Sequence, residues 1–116
     1  MIVNRENAYH YKWGRGCDGW VFLARDDMLV IEERMPPGTS EHRHRHITAR
    51  QFFQVTQGVL TIEVEGIEYT LAPGDSLEVE PGQRHQVRND SNADARFTNL
   101  SSPSAHGDRV NDEDQP

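Results

Sequence analysis

Apolar and polar residues alternate along Val59-Leu60-Thr61-Ile62-Glu63-Val64-Glu65, which puts Leu60, Ile62 and Val64 on one face of an extended strand and leaves the other face polar. Strand patterns dominate from Trp20 to about Ser101, and further strands are expected at 18–24, 28–35, 51–56, 67–71, 76–79, 85–89 and 95–100. Glu65-Gly66 separates the 59–65 run from the next one and reads as a tight hairpin turn in which the glycine takes a positive φ. Pro37-Gly38, Pro73-Gly74 and Pro81-Gly82 are further turns, with proline fixing φ at the second corner and glycine accepting the third. No segment carries a sustained helical period with caps, and there is no internal repeat. Many short strands broken by frequent turns imply an all-β sandwich or barrel.

Chemistry concentrates at two places. His42, His44 and His46 alternate with Arg43 and Arg45, so in a strand the three imidazoles share a face and can converge on one ion. Much later comes Pro81-Gly82-Gln83-Arg84-His85-Gln86-Val87-Arg88-Asn89. The first stretch runs Gly38, five residues, His44, one residue, His46, four residues, Gln51, six residues, Gly58. It resembles the first motif of the cupin family, with Gln51 where that family usually carries a glutamate. The second stretch, Gly74 with Pro81, Gly82, His85 and Asn89, is similar to the second cupin motif, although its proline falls one place late and Glu80 stands in the usual position. The resemblance covers Gly38 to Asn89. It implies a double-stranded β-helix, or jelly-roll barrel, whose mouth holds a metal.

On this resemblance His44, His46, Gln51 and His85 are the expected metal ligands, and the implied cofactor is one divalent transition-metal ion such as iron, manganese, nickel, copper or zinc, which suit imidazole and oxygen donors. His42 matches no ligand position and is expected near the barrel rim, solvated or beside the site. An amide at position 51 offers only a neutral carbonyl oxygen, so the ion would keep its full double charge and favour an anionic ligand, and this residue could not serve as a base. Phe53 and Val55 share parity with Gln51 and are expected to face the barrel interior, as an apolar pocket or as core. Asn89 points the same way as His85, toward substrate or, as such residues more commonly do, to tie backbone.

A chain of 116 residues is one domain. The expected division is an edge segment at 1–20, the barrel at 21–101 and a polar, mobile tail at 102–116. In the first of these, Tyr9, Tyr11 and Trp13 either pair as an edge strand or pack on a second subunit, and a homodimer is expected from the family habit. Trp13, Gly14, Cys17, Asp18, Gly19 and Trp20 read as a packing cluster, with Cys17 an inert thiol. His106-Gly107-Asp108-Arg109, in the tail, carries little weight as a site. The single cysteine and the polar start Met1-Ile2-Val3-Asn4-Arg5-Glu6-Asn7 lead to an expectation of a reducing, cytoplasmic setting. A net charge of −7 argues against a nucleic-acid partner, and nothing approaches a membrane span. The function expected is a metal-dependent enzyme of dioxygenase or isomerase type acting on a small polar or anionic molecule. A non-catalytic module that grips a small molecule or sugar is the alternative.

Overall fold

The computed structural model describes residues 1–114. Eleven strands follow in order: β1 (Tyr9–Trp13), β2 (Cys17–Arg25), β3 (Met28–Met35), β4 (His44–His46), β5 (Arg50–Gln57), β6 (Leu60–Val64), β7 (Ile67–Leu71), β8 (Ser76–Val79), β9 (His85–Arg88), β10 (Ala95–Ser102) and β11 (Arg109–Asn111). They form two antiparallel sheets, a six-stranded one ordered β1-β2-β3-β10-β5-β8 and a five-stranded one ordered β11-β4-β9-β6-β7. The result is a jelly roll, with the core between the sheets.

Alternation decides which side chains fill that core. Leu60, Ile62 and Val64 of β6 meet Phe53 and Val55 of β5, Phe97 of β10, Val79 of β8 and Val87 of β9, all buried. The hairpin between β6 and β7 has both of its loop residues in the left-handed region, Glu65 at φ 49° and Gly66 at φ 86°, as a two-residue loop of this twist demands. Gly66 N–H donates to Glu63 Oε2 and Glu65 N–H to the Arg84 carbonyl, which helps hold a non-glycine residue there. Gly38, Gly74 and Gly82, at φ 76°, 92° and 84°, take the left-handed corner of their Pro-Gly turns.

Both ends of the chain join the sheets. β1 is the edge strand of the six-stranded sheet and pairs along its whole length with β2. Tyr11 faces Gly19 across this pair, and its ring lies so close that a Cβ on Gly19 would stand 2.3 Å from Tyr11 Cζ. Beside it Asp18 is buried, and hydrogen bonds from Lys12, His10 and Arg34 hold its carboxyl well below the usual range although burial opposes them.

The tail from 102, expected to be mobile, carries a strand within the described residues; its last two residues, 115 and 116, lie outside them. Arg109–Asn111 pairs with β4 as an edge strand of the five-stranded sheet. Asp108 fastens the preceding loop, its Oδ2 accepting from the backbone N–H groups of Thr48 and Ala49 and from Thr48 Oγ1. Asp112 then takes Arg43 and Arg84 at 2.7 and 3.0 Å. Low apolar content reads as disorder in sequence, but this segment is held by hydrogen bonds and ion pairs to residues some sixty positions away.

Candidate metal centre

The two histidine motifs meet through one register pair. His44 of β4 lies directly opposite His85 of β9, and directly opposed residues of an antiparallel pair project to the same face. His46, two positions further along β4, projects there too. The ring centroids of His44 and His85 are 4.3 Å apart, those of His44 and His46 4.9 Å, and those of His46 and His85 5.9 Å. One nitrogen from each ring lies within 4.8 Å of the others, and all three side chains are buried.

Tautomers follow from the outer hydrogen bonds. His44 Nδ1 is 2.8 Å from the His42 carbonyl and His85 Nδ1 is 3.0 Å from the Gln83 carbonyl. A carbonyl only accepts, so His44 carries its proton on Nδ1 and presents an Nε2 lone pair inward, whereas His85 faces a carbonyl oxygen at each ring nitrogen. Burial, with the charge of Arg109 and the neighbouring rings, drives His44 down to about 2, and burial with His85 takes His46 to about 4. Burial also holds His85 below its usual value, so the cluster is neutral.

Gln51 joins from the opposite sheet. Its Oε1 stands 3.0 Å from His85 Nε2, a hydrogen bond when that nitrogen carries the proton and a second donor atom for a cation when Nδ1 carries it. Its Nε2 donates to Asn99 Oδ1 at 3.3 Å and to Ser101 Oγ at 3.2 Å, and Asn99 Nδ2 donates to Glu33 Oε2 at 3.2 Å. The acceptor at Glu33 therefore turns Asn99, Asn99 turns Gln51, and the Gln51 carbonyl is left facing the histidines. The spacing also suits a cation: two donors about 2.1 Å from one ion at a right angle are themselves about 3.0 Å apart. His46 Nδ1 adds a buried nitrogen with no hydrogen-bond partner among the described residues. The donor set of three imidazoles and one amide oxygen fits a divalent transition-metal ion.

Above the cluster opens a cavity of about 510 Å³. It is lined by His44, His46, Gln51 and Phe53, by Leu29, Ile31 and Glu33 of β3 with Tyr11, Trp13 and Gly14, and by Glu41, His106, Gly107 and Arg109. Burial raises Glu33 to about 7 and Glu41 to about 8.

The expected residues divide accordingly. His44, His46, His85 and Gln51 come together. His42 lines the cavity at its rim, mostly exposed, with Nδ1 3.6 Å from Glu113 Oε2. Phe53 lines the cavity and packs on Phe97, centroids 6.2 Å apart. Val55 does not reach the cavity; it is core. Of the two roles expected for Asn89, its hydrogen bonds are those of backbone tying: Nδ2 donates to the Met35 and Ala93 carbonyls and Oδ1 accepts from Ser91. Cys17 is buried, which pushes its thiol pKa up, as an inert thiol requires. Sequence reading missed Asn99 and Ser101, which a parity count along 95–101 would have placed inward, and Glu33, an acid in phase with Leu29 and Ile31. It also set Arg109 aside.

The Cupin domain family model matches residues 20–101. The chain belongs to the cupin family. Tetracenomycin polyketide synthase protein TcmJ of Streptomyces glaucescens is 34% identical over 71 residues, 61% of this cupin and 48% of that protein, so the chain spans about half the length of this curated relative. Among solved structures, a sugar phosphate isomerase of the cupin superfamily from Silicibacter pomeroyi superposes with a TM-score of 0.78 at 21% identity, covering 90% of this chain and 76% of that one. The polyketide cyclase RemF from Streptomyces resistomycificus gives 0.76 at 15% identity, covering 90% and 80%. At these identities the two structures speak for the fold.

Proposed function

We propose that this cupin holds one divalent transition-metal ion through His44, His46 and His85, with the Gln51 carbonyl as a fourth, neutral donor. On this reading it is an enzyme of isomerase or dioxygenase type acting on a small polar or anionic molecule. The observation that carries the reading is the convergence of three buried imidazoles, one nitrogen of each within 4.8 Å of the others, with Gln51 Oε1 3.0 Å from His85 Nε2. The ion would supply Lewis acidity or a site for oxygen activation. The chain's own part is to seat the substrate in a half-apolar cavity, to keep the donor set uncharged so that an anion is favoured, and to offer Glu33 or Glu41 as proton acceptors, which the amide cannot be.

The names of TcmJ and RemF add a substrate class: an enolisable carbonyl compound of the polyketide kind, whose enolate is an anionic oxygen donor. The test is to load metal-depleted protein with cobalt(II), titrate acetylacetone as a minimal enolisable diketone, and follow the cobalt spectrum, oxygen uptake and product. Cobalt retention with a spectral change on acetylacetone is expected, oxygen uptake marking the dioxygenase and an isomerised product without it the isomerase. Protein that retains no cobalt overturns the reading, and binding without turnover returns the non-catalytic alternative.

We extend the proposal to a homodimer. Leu23, Val30, Leu100 and Phe52 oppose one another across β2, β3, β10 and β5 on the outer face of the six-stranded sheet, with Leu23 and Phe52 exposed. A second subunit covering that row would remove apolar surface from water. Sedimentation at micromolar concentration showing only a 13.3 kDa species would rule it out.

A further inference from the structure

Arg109 lies directly across from His46 in the β11–β4 pair, so its side chain projects to the face that carries the histidines. It lines the same cavity. Two contacts fix the guanidinium plane: Nε donates to Asn111 Oδ1 at 2.6 Å and Nη2 donates to the His42 carbonyl at 3.0 Å. Of its five N–H donors, those on Nη1 make no hydrogen bond among the described residues. The nearest acid is Glu41, whose Oε1 is 3.8 Å from Nη1, beyond hydrogen-bond reach. The side chain is 37% exposed, and it lines the cavity together with Ala105, His106 and Gly107 of the same segment. A fixed guanidinium whose Nη1 edge makes no hydrogen bond and only this long ion pair is, on a pocket, a fork for a planar oxyanion.

We infer that Arg109 is the specificity-determining residue of this cavity, and that the substrate carries two acidic ends: an oxygen-donor end directed at the histidine cluster and a terminal carboxylate or phosphate seated on Arg109. This rests on the metal-centred reading above and adds the second anchor. Leu29, Ile31 and Trp13 lie along the cavity wall. They suit the short carbon chain that would join the ends. The loop 105–108 sets the distance between the anchors, because Asp108 bolts it to Thr48 and Ala49 and Ile47 N–H donates to the Asp108 carbonyl at 3.3 Å. A preorganised anchor of this kind loses little on binding.

The test compares matched pairs of probes on cobalt(II)-loaded protein by titration calorimetry. Pyruvate and 2-oxoglutarate share the 2-oxo acid end and differ in the distal carboxylate; lactate and 3-phosphoglycerate share the 2-hydroxy acid end and differ in the distal phosphate. Arg109→Gln should weaken the doubly acidic member of at least one pair roughly tenfold, while its partner and cobalt itself change less than about twofold. Whichever pair responds names the terminal group. Arg109→Lys, which keeps the charge and loses the fork, should recover part of the lost affinity. Equal loss for both members of each pair, or no loss for any, overturns the assignment of Arg109 while leaving the metal site intact. Failure of the unmodified protein to take up cobalt overturns the metal-centred reading itself, and this inference with it.

Discussion

Asn99 Oδ1 accepts from Gln51 Nε2 at 3.3 Å, and this contact, beside the one to Ser101 Oγ at 3.2 Å, turns the Gln51 carbonyl toward the histidines. Without it the amide can turn over and present its NH2 group to His85, where it would exclude a cation. Asn99→Ala should therefore weaken divalent-ion affinity by roughly tenfold, in the range that outer partners of metal ligands command. Competition with a chromophoric chelator measures this. An affinity unchanged within about twofold would mean that Ser101 alone suffices to orient the amide.

Restoring a carboxylate at Gln51 changes the charge of the donor set with little change in shape. Gln51→Glu should tighten divalent-ion binding and at the same time weaken oxalate binding to the loaded site, because the net charge there falls by one unit. The opposed signs are diagnostic. Calorimetry that finds both affinities unchanged would remove Gln51 from the donor set and leave a three-histidine site.

His44→Ala or His85→Ala should abolish metal retention, since each removes one of the three rings whose nitrogens converge within 4.8 Å. Metal content of the purified variants, measured beside the unmodified protein, checks it. Full occupancy in either variant contradicts the site.

In metal-free protein the same rings set the response to acid. Below pH ~6.5 the unfolded chain takes up protons on histidine. The folded chain does so only much lower, at about 2 for His44 and about 4 for His46, with His85 also depressed by burial. Each ring thus removes up to ~1.4 kcal/mol of stability per pH unit as pH falls. Glu33 and Glu41 act in reverse: burial raises them to about 7 and about 8, so their protonation favours the folded state as pH drops toward the unfolded value of about 4.3. Three rings outweigh two acids below about pH 6, and stability should peak at about pH 6–7. Thermal unfolding in EDTA from pH 8 to 5 tests this; a melting temperature that climbs steadily to pH 5 would show that the rings are not buried neutral.

Asn89→Ala should cost about 2–4 kcal/mol, because it leaves the Met35 carbonyl without its amide partner in a fully buried place and releases the 89–93 turn. Metal affinity of the folded fraction should be unchanged. Chemical denaturation read beside metal titration separates the two, and a loss of metal affinity without loss of stability would return Asn89 to the site.

Fold and cluster were legible wherever the information was local. The period-two pattern of 59–65 and the Pro-Gly and Glu-Gly turns specify strands and their ends through backbone sterics alone, and the alternation of His44 and His46 specifies a shared face. Arg109 was illegible for a physical reason. Its role depends on lying across from His46 in a pair of strands more than sixty positions apart, and three residues of mixed polarity carry no periodic trace of that partner. Asn89 shows the converse case, where position within a motif points to a site but the hydrogen-bond demand of buried backbone at Met35 and Ala93 claims the side chain first.

Gln51 belongs to the six-stranded sheet and the three histidines to the five-stranded one. An ion held by all four is a clasp between the two halves of the barrel, so they cannot part without releasing it. Ion uptake then reaches the whole fold: free metal at a hundred times its dissociation constant would add about 2.7 kcal/mol to stability. The melting temperature of the chain would in that case read out the metal supply of its surroundings, and scarcity would lower the folded fraction.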